Sequence, residues 1–376
     1  MRILLVEPWL HGSHRQWAEG YRSWSRHRVD IIGLPGGRWR WLLQGGALPL
    51  AEAVRAWVAD HGQPDLVVVS GMVDVAHLLA LSRRWLDRQP VVVFQHESQL
   101  VYPGRRAEEQ EAALRNWLSW CAADLVVFNS CYHREAVTRE LPGFLDRFPE
   151  PGHGRYLDAV LDRFDVLPVG VHTRPFRSPP DEAGCRTSPA AGDGDAPPVI
   201  LWPHRWERDK DPDAFSAALA KVVAAGLDFR LVLAGEDPPS GDRYTGRVRR
   251  ELVQRFADRV AAVGPFPVDR YRELVLGADI VVSCARHEFF GVGVVEAVAA
   301  GCRPVLPAGL SYPELIPGRW HEVALYRPGR FGTALVAAVE QLEHGRTAAA
   351  GLAAEMEVFG WDRVAPRYDD RFEQLT

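Results

Sequence analysis

The chain has 376 residues, 47% of them apolar and 25% charged, with a formal net charge of −5. That is enough apolar material for two domains with separate cores and too little polar bias for wholesale disorder. The weak negative charge advertises no polyanion partner, and no stretch reaches the roughly 20 apolar residues that cross a bilayer.

The opening run MRILLVEPW is too short for a secretory signal and predicts a buried first strand over Ile3–Glu7. Gly12-Ser13-His14 then opens a helix. Glycine there lets a ligand approach the backbone closely, or Ser13 simply caps the helix. Residues 22–41 carry Arg22, Arg26, Arg28, Arg38 and Arg40 among Trp24, Trp39 and Trp41, against a single Asp30. Arginine with tryptophan suits phosphate and base contacts in RNA, and equally suits plain cover of a protein surface. Continuous apolar runs such as DLVVVSG and PVVVFQH predict further strands at Val29–Leu34, Leu66–Ser70, Val91–Gln95, Leu125–Asn129 and Val166–Val169. His96-Glu97 ends the fourth of these six strands.

Residues 178–198 are rich in Pro, Gly, Ala and Asp and read as a linker. The alternation then restarts. Strands are expected at Val199–Trp202, Arg230–Ala234, Ile280–Ser283 and Pro304–Leu306, with helices near 211–225, 243–257, 291–300 and 330–344. Two α/β domains follow, at 1–177 and 199–357, facing each other across a cleft outside the carboxyl ends of their strands. Residues 358–376 form a helix crossing back to the first domain. Five cysteines, Cys121, Cys131, Cys185, Cys284 and Cys302, make no CxxC pair and read as reduced thiols of a cytoplasmic protein.

Two motifs carry chemistry. In WPHRWERDKDP (202–212), Arg205 and Lys210 are spaced R-x4-K in a loop entering a helix. Only Lys210 and Lys221 are lysine among 44 basic residues, so a lysine here stands out. Two cations in a dry site stabilise the charge growing on a departing diphosphate, though a solvated loop would carry the same residues. In HEFFGVGVVEA (287–297), Glu288 precedes a helix and Glu296 lies two turns along it, as E-x7-E. The backbone N–H groups from Phe289 through Phe290, Gly291 and Val292 to Gly293 point from the helix start at phosphate or sugar oxygens. Asp209-Lys210-Asp211 spells D-x-D, but the intervening lysine argues against a metal. Neither G-x-G-x-x-G after the first strand nor a P-loop is present.

On these residues the chain resembles GT-B glycosyltransferases of family 4, whose signature is this R-x4-K with E-x7-E. More narrowly it is similar to the tRNA-queuosine α-mannosyltransferases, through GSHRQ (12–16), RWRW (38–41), HESQLVYP (96–103), ADLVVFNS (123–130), WPHRWERDKDP, HEFFGV (287–292) and YPE (312–314). The likeness spans nearly the whole chain outside the linker. It implies an α/β GT-B fold of two Rossmann-like domains, GDP-mannose as donor, retention at the anomeric carbon, no metal or other cofactor, and tRNA carrying queuosine as acceptor. It further implies that Arg205 and Lys210 hold the diphosphate, Glu288 the sugar and Glu296 the ribose. His96 lies at the reacting centre, and Gly12, Ser13 and His14 line the donor. Arg38, Trp39, Arg40, Trp41, Glu97, Gln99 and Tyr102 become acceptor-side candidates. The chain departs from the animal members in its brief linker, and its acidity does nothing for tRNA. A family 4 transferase with a small or lipid acceptor, a nucleotide-sugar epimerase of the same fold, and a non-catalytic RNA or nucleotide-sugar binding module are the rival readings.

Overall fold

Two parallel six-stranded sheets organise the chain, each in its own unit: Met1–Val171 with Trp361–Thr376, and His172–Gly360. The computed structural model describes all residues except 36–38, 87, 103–106, 149–151, 177–195, 239–240 and 344–350. Most of the expected linker therefore lies outside the described residues. Among those described, no helix is long and apolar enough to cross a membrane.

The first unit holds β1 (Arg2–Glu7), β2 (Arg28–Gly33), β3 (Leu66–Ser70), β4 (Val91–Gln95), β5 (Leu125–Phe128) and β6 (Phe164–Val166), in spatial order β2-β1-β3-β4-β5-β6. β1, β3, β4 and β5 are apolar on both faces because helices cover both sides of a parallel sheet. The sixth strand sits slightly upstream of the expected Val166–Val169. The sheet grows one way from β1 to β2 and the other way from β3 onward. The switch at β1/β3 opens a crevice at the carboxyl ends, the usual ligand position in such sheets.

The helix Trp361–Glu373 belongs to this unit. It buries Trp361, Val364, Ala365, Tyr368, Asp369 and Phe372, one stripe at helical spacing. Asp369 accepts from the Tyr21 hydroxyl at 2.9 Å, the Ser25 hydroxyl at 2.6 Å and the Arg26 amide at 2.9 Å, so the buried carboxylate is satisfied. The Trp361 indole lies flat on Gly20 and Gly170, where an added Cβ would come within 2.2 and 2.3 Å of ring atoms.

The second unit holds β7 (Val199–Trp202), β8 (Arg230–Leu233), β9 (Val260–Val263), β10 (Ile280–Val282), β11 (Arg303–Pro307) and β12 (Leu325–Tyr326), in order β12-β11-β10-β7-β8-β9. Its switch lies between β7 and β10. The WPHRWERDKDP loop leaves β7 and the HEFFG segment leaves β10, so neighbouring strands deliver the two motifs side by side. β9, β12 and the helix Val268–Leu276 were not legible in the sequence. β9 is a half-buried edge strand of Val and Ala, without the apolar run that marks a central strand.

Candidate active site

Tryptophan anchors the R-x4-K loop. Trp206 is fully buried, packing on Trp202 at 4.7 Å between ring centroids, while Trp202 stacks on Phe215 at 5.4 Å. With Trp206 fixed in the core, its neighbour Arg205 turns outward and Lys210 turns in. Asp211 takes a left-handed conformation (φ 50°), caps the following helix through the Ala214 amide and binds Arg286 at 2.7 Å. Lys210 is only 7% exposed. Its Nζ contacts the His287 carbonyl oxygen at 2.9 Å, Asp209 Oδ2 at 3.0 Å and Glu288 Oε2 at 3.2 Å. The first and third are hydrogen bonds, and the Asp209 contact is an ion pair.

Arg205 differs. Its side chain is 47% exposed and rests 3.3 Å from Glu207. The group thus sets two cations against three carboxylates, Asp209, Glu207 and Glu288, and the surplus of positive charge suggested by the sequence is neutralised locally. Burial works against the Lys210 ammonium, but Glu288 and Asp209 outweigh it and raise its pKa. Burial likewise pushes the Glu288 carboxyl up, and Lys210 with His204 brings it below its ordinary value. Both groups stay charged at neutral pH. His204, buried beside them, falls to about 4 through burial and the Lys210 charge, and is neutral. Close packing holds this loop: a Cβ on Gly235 would lie 1.8 Å from the His204 carbonyl oxygen.

The E-x7-E segment splits by environment. Gly291, at φ 106°, is the N-cap of the helix Val292–Ala299, a conformation that favours glycine. Phe289 and Phe290 are buried, and the Ser311 hydroxyl donates to the Phe290 carbonyl at 2.9 Å, fixing the turn. Glu296 is buried on that helix and accepts from the Tyr271 hydroxyl at 2.8 Å. Burial lifts its pKa to about 7, against the opposing effect of the Tyr271 hydrogen bond. Glu288 and Glu296 therefore share a spacing motif, while their pKa values move in opposite directions.

In the first unit, three residues converge at the carboxyl edge of the sheet. His14, on the helix Gly12–Trp24, meets Glu7 Oε2 through Nδ1 at 3.0 Å; His96, just beyond β4, brings Nε2 to 3.6 Å from the same oxygen. The two imidazole rings lie 4.1 Å apart. Gly12 has φ 51°, and Ser13 is exposed; the N-cap is His11, without a side-chain hydrogen bond, so Ser13 does not cap this helix. Glu97 and Tyr102 are half-buried, and Gln99 is buried with its amide donating to Asn116 Oδ1 at 3.1 Å. Trp41 is 67% exposed. Arg38 and the side chains of Trp39 and Arg40 lie outside the described residues. Nearby, Arg26 is engaged by Asp370 and Glu373, and Arg28 by Asp30.

Known proteins match both halves. The family model described as tRNA-queuosine alpha-mannosyltransferase N-terminal covers residues 2–171, and that for glycosyl transferases group 1 covers 197–344. The tRNA-queuosine alpha-mannosyltransferase of Drosophila melanogaster is 30% identical over 321 residues, 84% of this chain and 81% of the fly protein. The chain belongs to the tRNA-queuosine alpha-mannosyltransferase family. A further relative is the GDP-mannose-dependent alpha-(1-6)-phosphatidylinositol dimannoside mannosyltransferase of Mycobacterium tuberculosis, 29% identical over 368 residues, 91% of this chain and 86% of that one. Among solved structures, sucrose-phosphate synthase of Thermosynechococcus elongatus superposes with a TM-score of 0.72 at 18% identity, covering 100% of this chain and 99% of that one. The catalytic domain of starch synthase IV from Arabidopsis thaliana reaches 0.74 at 12% identity, again covering 100% and 99%. The fold is GT-B, and the protein is a glycosyltransferase.

For this transferase the sequence reading passed over Glu7, His204 and Tyr271. A signal existed for Glu7, a carboxylate closing an otherwise apolar strand. None existed for Tyr271, whose helix carries no marked apolar run. Glu7, His14 and His96 offer ligand atoms within 4.8 Å of one another, a donor set that a divalent cation can take. The expectation of metal independence is thus a matter for solution measurement.

Proposed function

We propose that the protein transfers mannose from GDP-mannose to queuosine in tRNA, in the cytoplasm, with the nucleotide-sugar as its only small-molecule partner. One observation carries the choice of acceptor: the family model matching residues 2–171 is specific to tRNA-queuosine mannosyltransferases, and this half of a GT-B chain is the one expected to meet the acceptor. The names of two mannosyltransferase relatives support the sugar, and the GDP-mannose dependence named for the mycobacterial one supports the donor.

In this reading Arg205, the exposed cation, swings from Glu207 to the diphosphate and stabilises its growing charge. Lys210 adds a fixed positive charge from beneath and orients Glu288 toward the sugar hydroxyls. Glu296 receives the ribose diol through the carboxylate oxygen not held by Tyr271. First-turn amides of Val292 and Gly293, which precede the intrahelical hydrogen bonds, face the phosphates. His96 hydrogen-bonds the sugar near the reacting carbon, and Gly12, Ser13 and His14 approach the donor from the first unit. The departing phosphate itself takes the acceptor proton, so no pair of catalytic carboxylates is required.

The decisive assay incubates the protein with GDP-mannose and either queuosine-containing tRNA or the same tRNA lacking queuosine, and reads mannosylated nucleoside by mass spectrometry. Product only on the queuosine-containing tRNA is expected. The mycobacterial relative motivates a second reading, a lipid acceptor. Product in a lipid extract but not on tRNA would replace the first reading with it.

A further inference from the structure

Glu7 ends β1, next to the centre of the first sheet, and is wholly inaccessible to solvent. A carboxylate in such a place persists only when its oxygens are satisfied. They are divided between two tasks. Oε1 accepts the Trp9 amide at 2.8 Å, while Oε2 accepts from His14 Nδ1 at 3.0 Å and faces His96 Nε2 at 3.6 Å. The His96 side chain is only 10% exposed, and its Nε2 has no hydrogen-bond partner among the described residues. Trp17 stands edge-on to the His96 ring at 4.6 Å, and Asn129 Nδ2 donates to the His96 carbonyl at 2.8 Å. The ring is held on several sides.

An ionised carboxylate only accepts hydrogen bonds, so its contact places a proton on His14 Nδ1. His96 Nε2, at 3.6 Å from the same oxygen, lies beside it but beyond hydrogen-bond distance. Burial and the neighbouring His14 and His133 keep His96 neutral. Hydroxyls, the groups that a sugar or nucleoside carries in number, can both donate to and accept from imidazole nitrogens.

We propose that Glu7 is a positioning residue of the transferase, its carboxylate fixing the His14 imidazole through Nδ1 beside the His96 ring for a polyhydroxylated substrate. The proposal rests on the mannosyl-transfer reading for its kinetic test but not for its spectroscopic one. Glu7→Gln preserves shape and replaces one acceptor oxygen by an NH2 donor, which forces His14 to accept through Nδ1. Because a wrong tautomer costs turnover even when geometry survives, kcat should fall about 10- to 100-fold while the KM for GDP-mannose changes less than about twofold. Glu7→Asp should recover part of the loss. Imidazole 15N–1H correlation spectra of the full chain should show Nδ1–H on His14 in the wild type, and a changed His14 signal in Glu7→Gln.

Wild-type kcat in a folded Glu7→Gln protein would overturn the proposal, as would a wild-type His14 lacking the Nδ1 proton. So would a loss of activity that tracks only the loss of folded protein in thermal melts. Stoichiometric divalent metal in the purified protein, with activity lost to chelator, would make Glu7 a ligand instead. If the wild type fails to mannosylate tRNA yet shows Nδ1–H on His14, the functional reading fails while the pairing stands.

Discussion

The two units solve the same problem, a buried carboxylate at the carboxyl edge of a parallel sheet, by opposite means. In the second, Glu288 is matched by a full cation: Lys210 donates to it and to the His287 carbonyl and pairs with Asp209. In the first, Glu7 has two imidazoles and a backbone amide instead. A cation holds charge in place, whereas an imidazole holds a proton on a chosen nitrogen. The second arrangement suits a ligand that brings negative charge, and the first suits one that brings hydroxyls. Glu296 is a third case: burial lifts it to about 7 against the opposing hydrogen bond from Tyr271.

The largest effect is expected at Lys210. Lys210→Ala should reduce kcat about 10³-fold through loss of a preorganised positive group. It also leaves Asp209 and Glu288 buried without their cation, so denaturant unfolding should report a stability loss of about 3 kcal/mol. Unchanged transfer would erase the distinction between the two units. Glu288→Gln should lower kcat/KM about 10²-fold at little cost in stability, because Lys210 retains Asp209. Equal destabilisation by both variants in urea melts would show that Asp209 contributes nothing.

Glu296 adds a pH test. Binding that uses its ionised form strengthens as pH rises through about 7. Folding runs the other way. A carboxyl whose folded pKa exceeds the ordinary 4.5 binds more protons when folded, so its contribution to stability declines between about 4.5 and about 7. Tyr271→Phe removes the hydrogen bond that lowers this pKa. GDP-mannose affinity at pH 7 should then weaken about threefold to tenfold and recover at higher pH, as a carboxyl pKa rises by up to about one unit. Titration calorimetry across pH 6–9 that finds a flat affinity would remove Glu296 from the donor site. The smallest catalytic effect is expected at Gly20→Ala, which presses on Trp361. Melts should show a loss of about 1–3 kcal/mol from this overpacking, with kcat of the folded fraction unchanged. A large kcat change would tie the C-terminal helix to the chemistry of the first unit.

Much of the fold was legible because its signals are local. Runs rich in β-branched valine, as in LVVVS (66–70) and VVVFQ (91–95), mark parallel strands buried on both faces, and R-x4-K and E-x7-E each lie within one loop and helix. The short edge strands β9 and β12 and the helix Val268–Leu276 escaped because half-buried elements need no continuous apolar run. Of the two readings of Gly12-Ser13-His14, the cap at Ser13 is the one the structure removes: His11 holds the N-cap position with no side-chain hydrogen bond, and Gly12 has φ 51°.

The sequence by itself determined the alternation of strands and helices, the two α/β units and the R-x4-K and E-x7-E motifs. Only the tertiary structure decided how those residues are charged and paired. Strand order sets β7 beside β10, which lets Lys210 reach Glu288, and sets β1 near β4, which lets Glu7 reach His96. Those contacts join residues far apart in the chain, and burial, which fixes their protonation, exists only once the sheets and their covering helices have packed.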